Sequence, residues 1–491
     1  MGIEGGNNDQ THQRNIQARE LKAGAVERQA SPEGEHGFVQ FSSMKQVTEF
    51  LGIEGKVAVA QVFDTGIDGS NLRDRSLDSY LSQLALFSGA DYAVVRDDLL
   101  NGHADFVKDL GFESQVLRIN TDSRPGVHPD PLQNGRLTEY LAGRNATVIT
   151  PFYNENHTQN ALNYHAPEQE VGRVSKLANS KPYLHVHGRE VGVPLFEGGV
   201  AGNLAETLVL AEEIGFPLWA KIDGSGSDFV VRCESMADVQ KAVQQFMNGL
   251  AEGRQQWVED YAQRGIPVSA EMRESLNVPN YSQNQNTPFA VPVVLEKDAS
   301  QLGTFKHNLC ISGVLSHDDF AMACISSQVV GESGEWQGSQ KADLEPEVVA
   351  LIQEKIQPLL NYWRSLGYVG PVGPDCIVYE NEKGELDLGW IDPNARNPIS
   401  MVPELIGNKL GLPVWRNTNI TFPQPITDFS QLQPLIKSIE SRIPNCKVVP
   451  LAFRSTPANP SDVCKLAVFT DNEQSLNQAF EMLKQHASIR S

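Results

Sequence analysis

Apolar residues in this chain fall into short runs whose internal spacing changes from one stretch to the next. KVAVAQVF (56–63) and DYAVVR (91–96) are unbroken apolar runs of strand length. Between them Leu77, Leu81, Leu84 and Phe87 recur at helical spacing, and a further strand, ATVITPF (146–152), follows a polar, proline-rich loop at 121–133. This alternation predicts an α/β domain over 37–175, behind a polar arm at 1–36. Over 176–300 the pattern predicts a helix near Asn179–Glu190 and then a capped helix. Asn203 opens that helix with Glu206 three residues on, and Gly215 closes it. FPLWAKI (216–222) and FVVRC (229–233) read as strands around the loop GSGS (224–227). Ser235 and Asp238 open a helix with Val239, Val243 and Phe246 on one side. Residues 253–288 are polar and show no period.

FAVPVVLEK (289–297), LCISGVL (309–315) and FAMACISSQVV (320–330) are strongly apolar strands, followed by a Gly/Ser-rich loop at 331–340. Pro346 opens a long helix with Val349, Ile352, Ile356, Leu360 and Trp363 in a stripe, and Pro358 is placed to kink it. A segment at 301–425 is therefore separated from a last one, 426–491, where KVVPLAF, KLAVFT and a helix at 474–486 read as a small α+β unit. The fold class is a multidomain α/β and α+β protein.

Composition narrows the partners. The formal charge is −21 over 491 residues, which argues against nucleic acid or an anionic membrane as the general partner. No run reaches the length of a membrane span. The N-terminus lacks the apolar core of a signal peptide, and Gly2 lacks the Ser or Thr that myristoylation requires at position six. Cys233, Cys310, Cys324, Cys376, Cys446 and Cys464 are scattered without a CxxC pair. Neither a disulfide framework nor a zinc site is indicated, and a reducing cytoplasm is expected.

The densest chemistry lies in GPVGPDCIVY…GWIDPNARNP. CIVYENEKGELDLGWI predicts a hairpin with a two-residue turn at Lys383-Gly384. Counting back from that turn sets Tyr379 against Leu388, Ile377 against Trp390 and Asp375 against Asp392. Facing carboxylates repel unless a cation sits between them. Strand alternation puts Asn394 and Arg396 on the face of Asp392, a set suited to Mg²⁺ carrying phosphate. A solvated hairpin end with an ordinary Asp-Pro turn is the competing account. Lys221 ends a strand beside GSGS, whose free backbone N–H groups can lie over phosphates; alone, such a loop is usually only a loop. FDTGIDGS (63–70) lacks full GxGxxG spacing and reads as a strand-to-helix turn. His157, His165, His185 and His187 read as ordinary polar residues before a zinc site. Cys376 has no histidine partner for nucleophilic work. Lys306 and His307 suit a surface as well as a phosphate.

The order of these features resembles the ATP-grasp superfamily: a lysine before a helix, GFPLWAKIDGSGS, a strand ending VVLEK, then GPDCIVY…WIDPNAR, over about 179–398. The flanking VITPFYNENHTQNALNYH and SHDDFAMACISSQVVGESGEWQGS resemble ATP-grasp peptide ligases with a pre-ATP-grasp domain, the pheganomycin-type ligases among them. The resemblance implies ATP and Mg²⁺ as cofactors, and a small carboxylate and an amine (amino acid or peptide) as substrates. It leaves room for a homodimer. It implies that Lys181 and Lys221 hold phosphates, with Gly224, Ser225, Gly226 and Ser227 as a lid. Glu296 and Lys297 would meet adenine and ribose. Asp375, Asp392 and Asn394 would bind Mg²⁺, with Arg396 and Lys221 at the transferring phosphoryl. The sequence departs from the family at Asp228 in the lid, and at Asp392, where a glutamate is usual, followed by Pro393.

Overall fold

The computed structural model describes residues 38–60, 82–96, 99–119, 135–149, 171–223, 229–263, 270, 273, 276–330, 336–454, 461–486 and 488–489. The N-terminal arm, the loop at 121–133 and the FDTGIDGS segment lie outside them. The first sheet is parallel: β1 (Lys56–Ala60), β2 (Tyr92–Arg96), β3 (Gln115–Ile119) and β4 (Ala146–Ile149), in the order β3-β2-β1-β4. β3 was not anticipated; it is an edge strand whose short apolar run, Val116, Leu117 and Ile119, is broken by Arg118. The predicted helix before β2 appears as a 3-10 segment, Gln83–Ser88, which buries Leu84 and Phe87 fully. Leu77 and Leu81 lie outside the described residues.

The second sheet is antiparallel and comprises β5 (Gly198–Asn203), β6 (Leu218–Lys221), β7 (Val230–Cys233) and β8 (Pro288–Lys297), ordered β5-β8-β6-β7. Its helix Leu204–Ile214 starts as expected, with Asn203 Oδ1 accepting from Glu206 N at 2.9 Å, and stops at Gly215 with φ +76°. The return bond of the box goes one residue earlier, from Gly202 N to Glu206 Oε2 at 2.8 Å. The helix opened by Ser235 runs from Met236 to Gln263, well into the stretch that shows no period in sequence. Val239, Val243, Phe246 and Leu250 seat it on the sheet.

The third sheet has ten strands. It contains β9 (Gly303–Leu315), β10 (Phe320–Val330), β11 (Trp336–Lys341), β12 (Gly370–Val372), β13 (Asp375–Asn381), β14 (Leu386–Asp392), β15 (Val414–Ile426), β16 (Lys447–Phe453), β17 (Ser461–Thr470) and β18 (Ser488–Ile489). The path is β14-β13-β9-β10-β11-β15-β17-β16, with β12 on β9 and β18 on β15. Two expectations are corrected here. Residues 336–341 form a strand inside the expected loop: WQGSQK shows no apolar alternation, yet it bridges β10 and β15. The strands of the C-terminal segment join the same sheet through β15 and build no sheet of their own. The proline-opened helix breaks at Ile356 into Pro346–Lys355 and Gln357–Ser365, with Pro358 in the first turn of the second piece. These helices cover one face of the sheet with Ile352, Leu360 and Trp363 against Ile311, Val378 and Trp390. On the other face, Trp415, Ala467 and Phe469 share a core with Phe87 and Val94 of the N-terminal segment.

Candidate active site

The β13–β14 hairpin reaches its predicted acidic pair by another route. The loop has three residues, 382–384, and not two. Asn381 N donates to Glu385 O at 2.9 Å, and the Asn381 side-chain oxygen accepts from Lys383 N and Glu385 N. Gly384, at φ +78°, supplies the left-handed residue such a loop requires. Tyr379 therefore faces Asp387, Val378 faces Leu388 and Cys376 faces Trp390. A bulge then takes up one residue, Ile391, and Asp375 faces Asp392 after all. The bulge leaves the Ile391 carbonyl as acceptor for Lys221 Nζ at 3.3 Å.

β14 ends at Asp392, so strand alternation does not place Asn394 or Arg396. Asn394 instead takes a left-handed φ of +39°, and its carbonyl accepts from Gly373 N and Arg396 N, each at 2.8 Å. This bend brings Asn394 Nδ2 to Asp375 Oδ2 at 2.9 Å. Gln328 Nε2, from β10, donates to the other oxygen at 2.6 Å. Arg396 Nη1 donates to Asn179 Oδ1 at 3.4 Å, and Asn179 Nδ2 in turn donates to Ala395 O at 2.9 Å. Burial and the neighbouring Asp392 push the Asp375 carboxyl well above the usual carboxylate range, against the hydrogen bonds from Cys310 and Gln328 and the charge of Arg396.

The lysines come from the other side. Ser180 caps the turn Lys181–Tyr183, which continues as Leu184–Gly188. Asp223 fixes this turn: its Oδ1 accepts from Lys181 N and its Oδ2 from Ser180 Oγ, each at 2.7 Å. Lys181 Nζ lies 3.3 Å from Asp392 Oδ2. Lys221, at the end of β6, donates to Glu296 Oε2, while His185 Nε2 lies 2.6 Å from Glu296 Oε1. Burial would raise the Glu296 carboxyl, but Lys221 and His185 outweigh it and hold the group at about 2.

Lys181, Lys221, Glu296, Asp375, Asp392, Asn394 and Arg396 thus meet in one place. Lys297 departs from the set: its ammonium turns outward to pair with Glu197. Gly224, Ser225, Gly226, Ser227 and Asp228 lie outside the described residues. Lys306 pairs with Glu380 at 2.7 Å and His307 lies 3.7 Å from Glu345, so both belong to the sheet's surface. His187 is exposed beside Glu190. Four residues at the site carried no expectation of a role there: Asn179, His185, Asp223 and Gln328. Of these, only Gln328 lies on a strand, FAMACISSQVV, that the apolar pattern marks.

The donor set fits a divalent cation. Asp392 Oδ1 and Asn394 Oδ1 are buried and have no hydrogen-bond partner, beside a second carboxylate. Hard oxygens left unsatisfied in this way are what Mg²⁺ accepts. Among the described residues no helix is long and apolar enough to cross a membrane.

No family model and no curated protein matches the chain. Solved structures do. A biotin carboxylase from Campylobacter jejuni, in a βγ-ATP complex, is 13% identical with a TM-score of 0.51, over 89% of this chain and 92% of that one. A carboxyaminoimidazole ribonucleotide synthase from Aspergillus clavatus, complexed with ATP, is 15% identical with a TM-score of 0.48, over 89% and 99%. The biotin carboxylase domain of 2-oxoglutarate carboxylase from Hydrogenobacter thermophilus, with MgADP and bicarbonate, is 13% identical with a TM-score of 0.47, over 89% and 91%. The chain has the ATP-grasp fold.

Proposed function

We propose that the protein is an ATP-dependent carboxylate–amine ligase, which forms an amide or peptide bond through an acyl phosphate and releases ADP and phosphate. One observation carries the reading. Two buried lysines reach the acidic hairpin end from the opposite side, Lys181 at 3.3 Å from Asp392 and Lys221 at 3.3 Å from the adjacent Ile391 carbonyl. Paired cations opposite paired acids suit a metal-bound polyphosphate, and they account for a polyanion on a chain of charge −21.

Mg²⁺, when bound, would supply the charge that neutralises the phosphates. Asp375, Asp392 and Asn394 would hold it. Lys181 and Lys221 offset further phosphate charge, and Arg396 steadies the transferring group or the acyl-phosphate oxygens. A substrate carboxylate oxygen attacks the γ-phosphorus, and the bond to ADP breaks. The amine then attacks the acyl carbon, loses a proton and expels phosphate. The sequence resemblance assigns residues 224–227, outside the described residues, the role of a lid that keeps water from the acyl phosphate. Glu296–Lys297 would run beside adenine and ribose, with the Glu296 carboxylate turned inward to hold Lys221. The peptide-ligase subtype rests on the sequence resemblance, and the free, buried state of all six cysteines supports a reducing compartment.

The test is ADP release from a panel of acids and amines. Release that needs both substrates, and that falls by about a hundredfold or more in Asp392→Ala, is the expected result. Bicarbonate belongs in the panel because the chain shares its fold with a biotin carboxylase. Asp392 is shorter than the usual glutamate, and this favours a second reading, nucleotide binding without turnover. Tight ATP binding with no ADP from any pair would establish that reading and overturn the first.

A further inference from the structure

Resting on the nucleotide site above, we propose that Lys181 is the resident counter-ion of the metal site. Its ammonium holds Asp392 until a divalent ion takes that carboxylate, and then turns to the phosphates, so that metal and nucleotide binding are linked through one side chain.

The two lysines are not equivalent. Lys221 is held by Glu296, a full buried charge of opposite sign, and hydrogen-bonds the Ile391 carbonyl. Its charge is balanced whether or not a ligand is bound. Lys181 pairs with Asp392, one of the two acids offered to the metal, at 3.3 Å. The other acid, Asp375, has its two oxygens on the neutral amides of Gln328 and Asn394. A divalent ion at the unpartnered oxygens of Asp392 and Asn394 would share Asp392 with an ammonium group. Like charges that close repel strongly in a half-buried setting. The ammonium is the one able to leave. Its main-chain N–H is fixed to Asp223 Oδ1 at 2.7 Å, so the backbone stays in place while the flexible stem swings.

The consequence is a response of opposite sign in two affinities. Manganese(II) serves as the metal probe, titrated into the full chain and followed by electron paramagnetic resonance. A non-hydrolysable ATP analogue, titrated with Mn²⁺ present, reads the nucleotide. Lys181→Met is expected to bind Mn²⁺ alone about fivefold to tenfold more tightly than the native chain, because a competing cation is gone. The same variant is expected to bind the analogue about tenfold more weakly, because a phosphate contact is gone. Lys181→Arg keeps the charge and should keep the native Mn²⁺ affinity. Lys181→Gln carries the same two-way expectation if the methionine variant does not fold. Unchanged or weaker Mn²⁺ binding in the uncharged variants overturns the exchange and leaves the ligase reading standing. A native chain that binds neither Mn²⁺ nor the analogue overturns both.

Discussion

Glu296 is 3% exposed and is held on one oxygen by the Lys221 ammonium and on the other by the His185 ring. Removing its charge strands a lysine that is itself only 5% exposed. Glu296→Gln is expected to cost about 3–5 kcal/mol in chemical denaturation at neutral pH, the usual penalty for breaking a buried pair. The sign with pH follows from its position at about 2, below the ordinary 4.5. The stabilisation is complete above the unfolded value and is lost as pH falls from about 4.5 toward 2. The variant should lack that component of acid denaturation. At this scale the sequence was informative where charge had to be balanced. Paired acids and isolated lysines are visible as letters. The partners that hold them are not: His185 and Asp223 gain their roles only when distant segments meet, and no spacing in the chain marks either.

The hairpin shows what an element can conceal. The acidic pair was legible because strands alternate and turns count residues. The count succeeded through two departures that cancel, a three-residue loop and a bulge at Ile391. Gly384 suits either loop, so the letters did not choose between them. β11 was illegible for another reason: its neighbours on both sides supply the pairing, so it needs no apolar alternation of its own. Docking of the hairpin depends on Gly389, where a Cβ would lie 2.6 Å from the Phe196 ring. That ring belongs to the segment in which Pro194 O accepts from Trp390 N at 2.9 Å. Gly389→Ala is expected to lower stability by about 1–3 kcal/mol, measured by denaturant unfolding, because the rigid ring must give way. It should also weaken nucleotide binding, since the same strand ends at Asp392.

Across the whole molecule, the N-terminal segment and the large sheet share one core, and His103 stands within it. Its Nε2 lies 3.1 Å from Pro450 O, and its ring stacks on Phe429 at 5.9 Å and meets Phe453 edge-on at 5.0 Å. Burial lowers its pKa from 6.5 to about 4. The unfolded chain therefore takes up a proton that the folded chain refuses. Stability should fall by about 3 kcal/mol as pH drops from about 6.5 to 4. His103→Phe should flatten that slope, as read by denaturant midpoints at pH 7 and 4.5.

The large sheet has a consequence for trimming the protein. β15 lies between β11 and β17, so a chain stopped at residue 426 would keep the candidate ligands and lose the strands that shield a thirteen-residue ribbon, Val414–Ile426. Bare backbone amides along that ribbon would recruit copies of themselves. Such a fragment is expected to elute in the void volume of a sizing column, and a soluble, well-folded monomer would refute this. The last sixty-odd residues would then act as a built-in chaperone for the sheet that carries the chemistry.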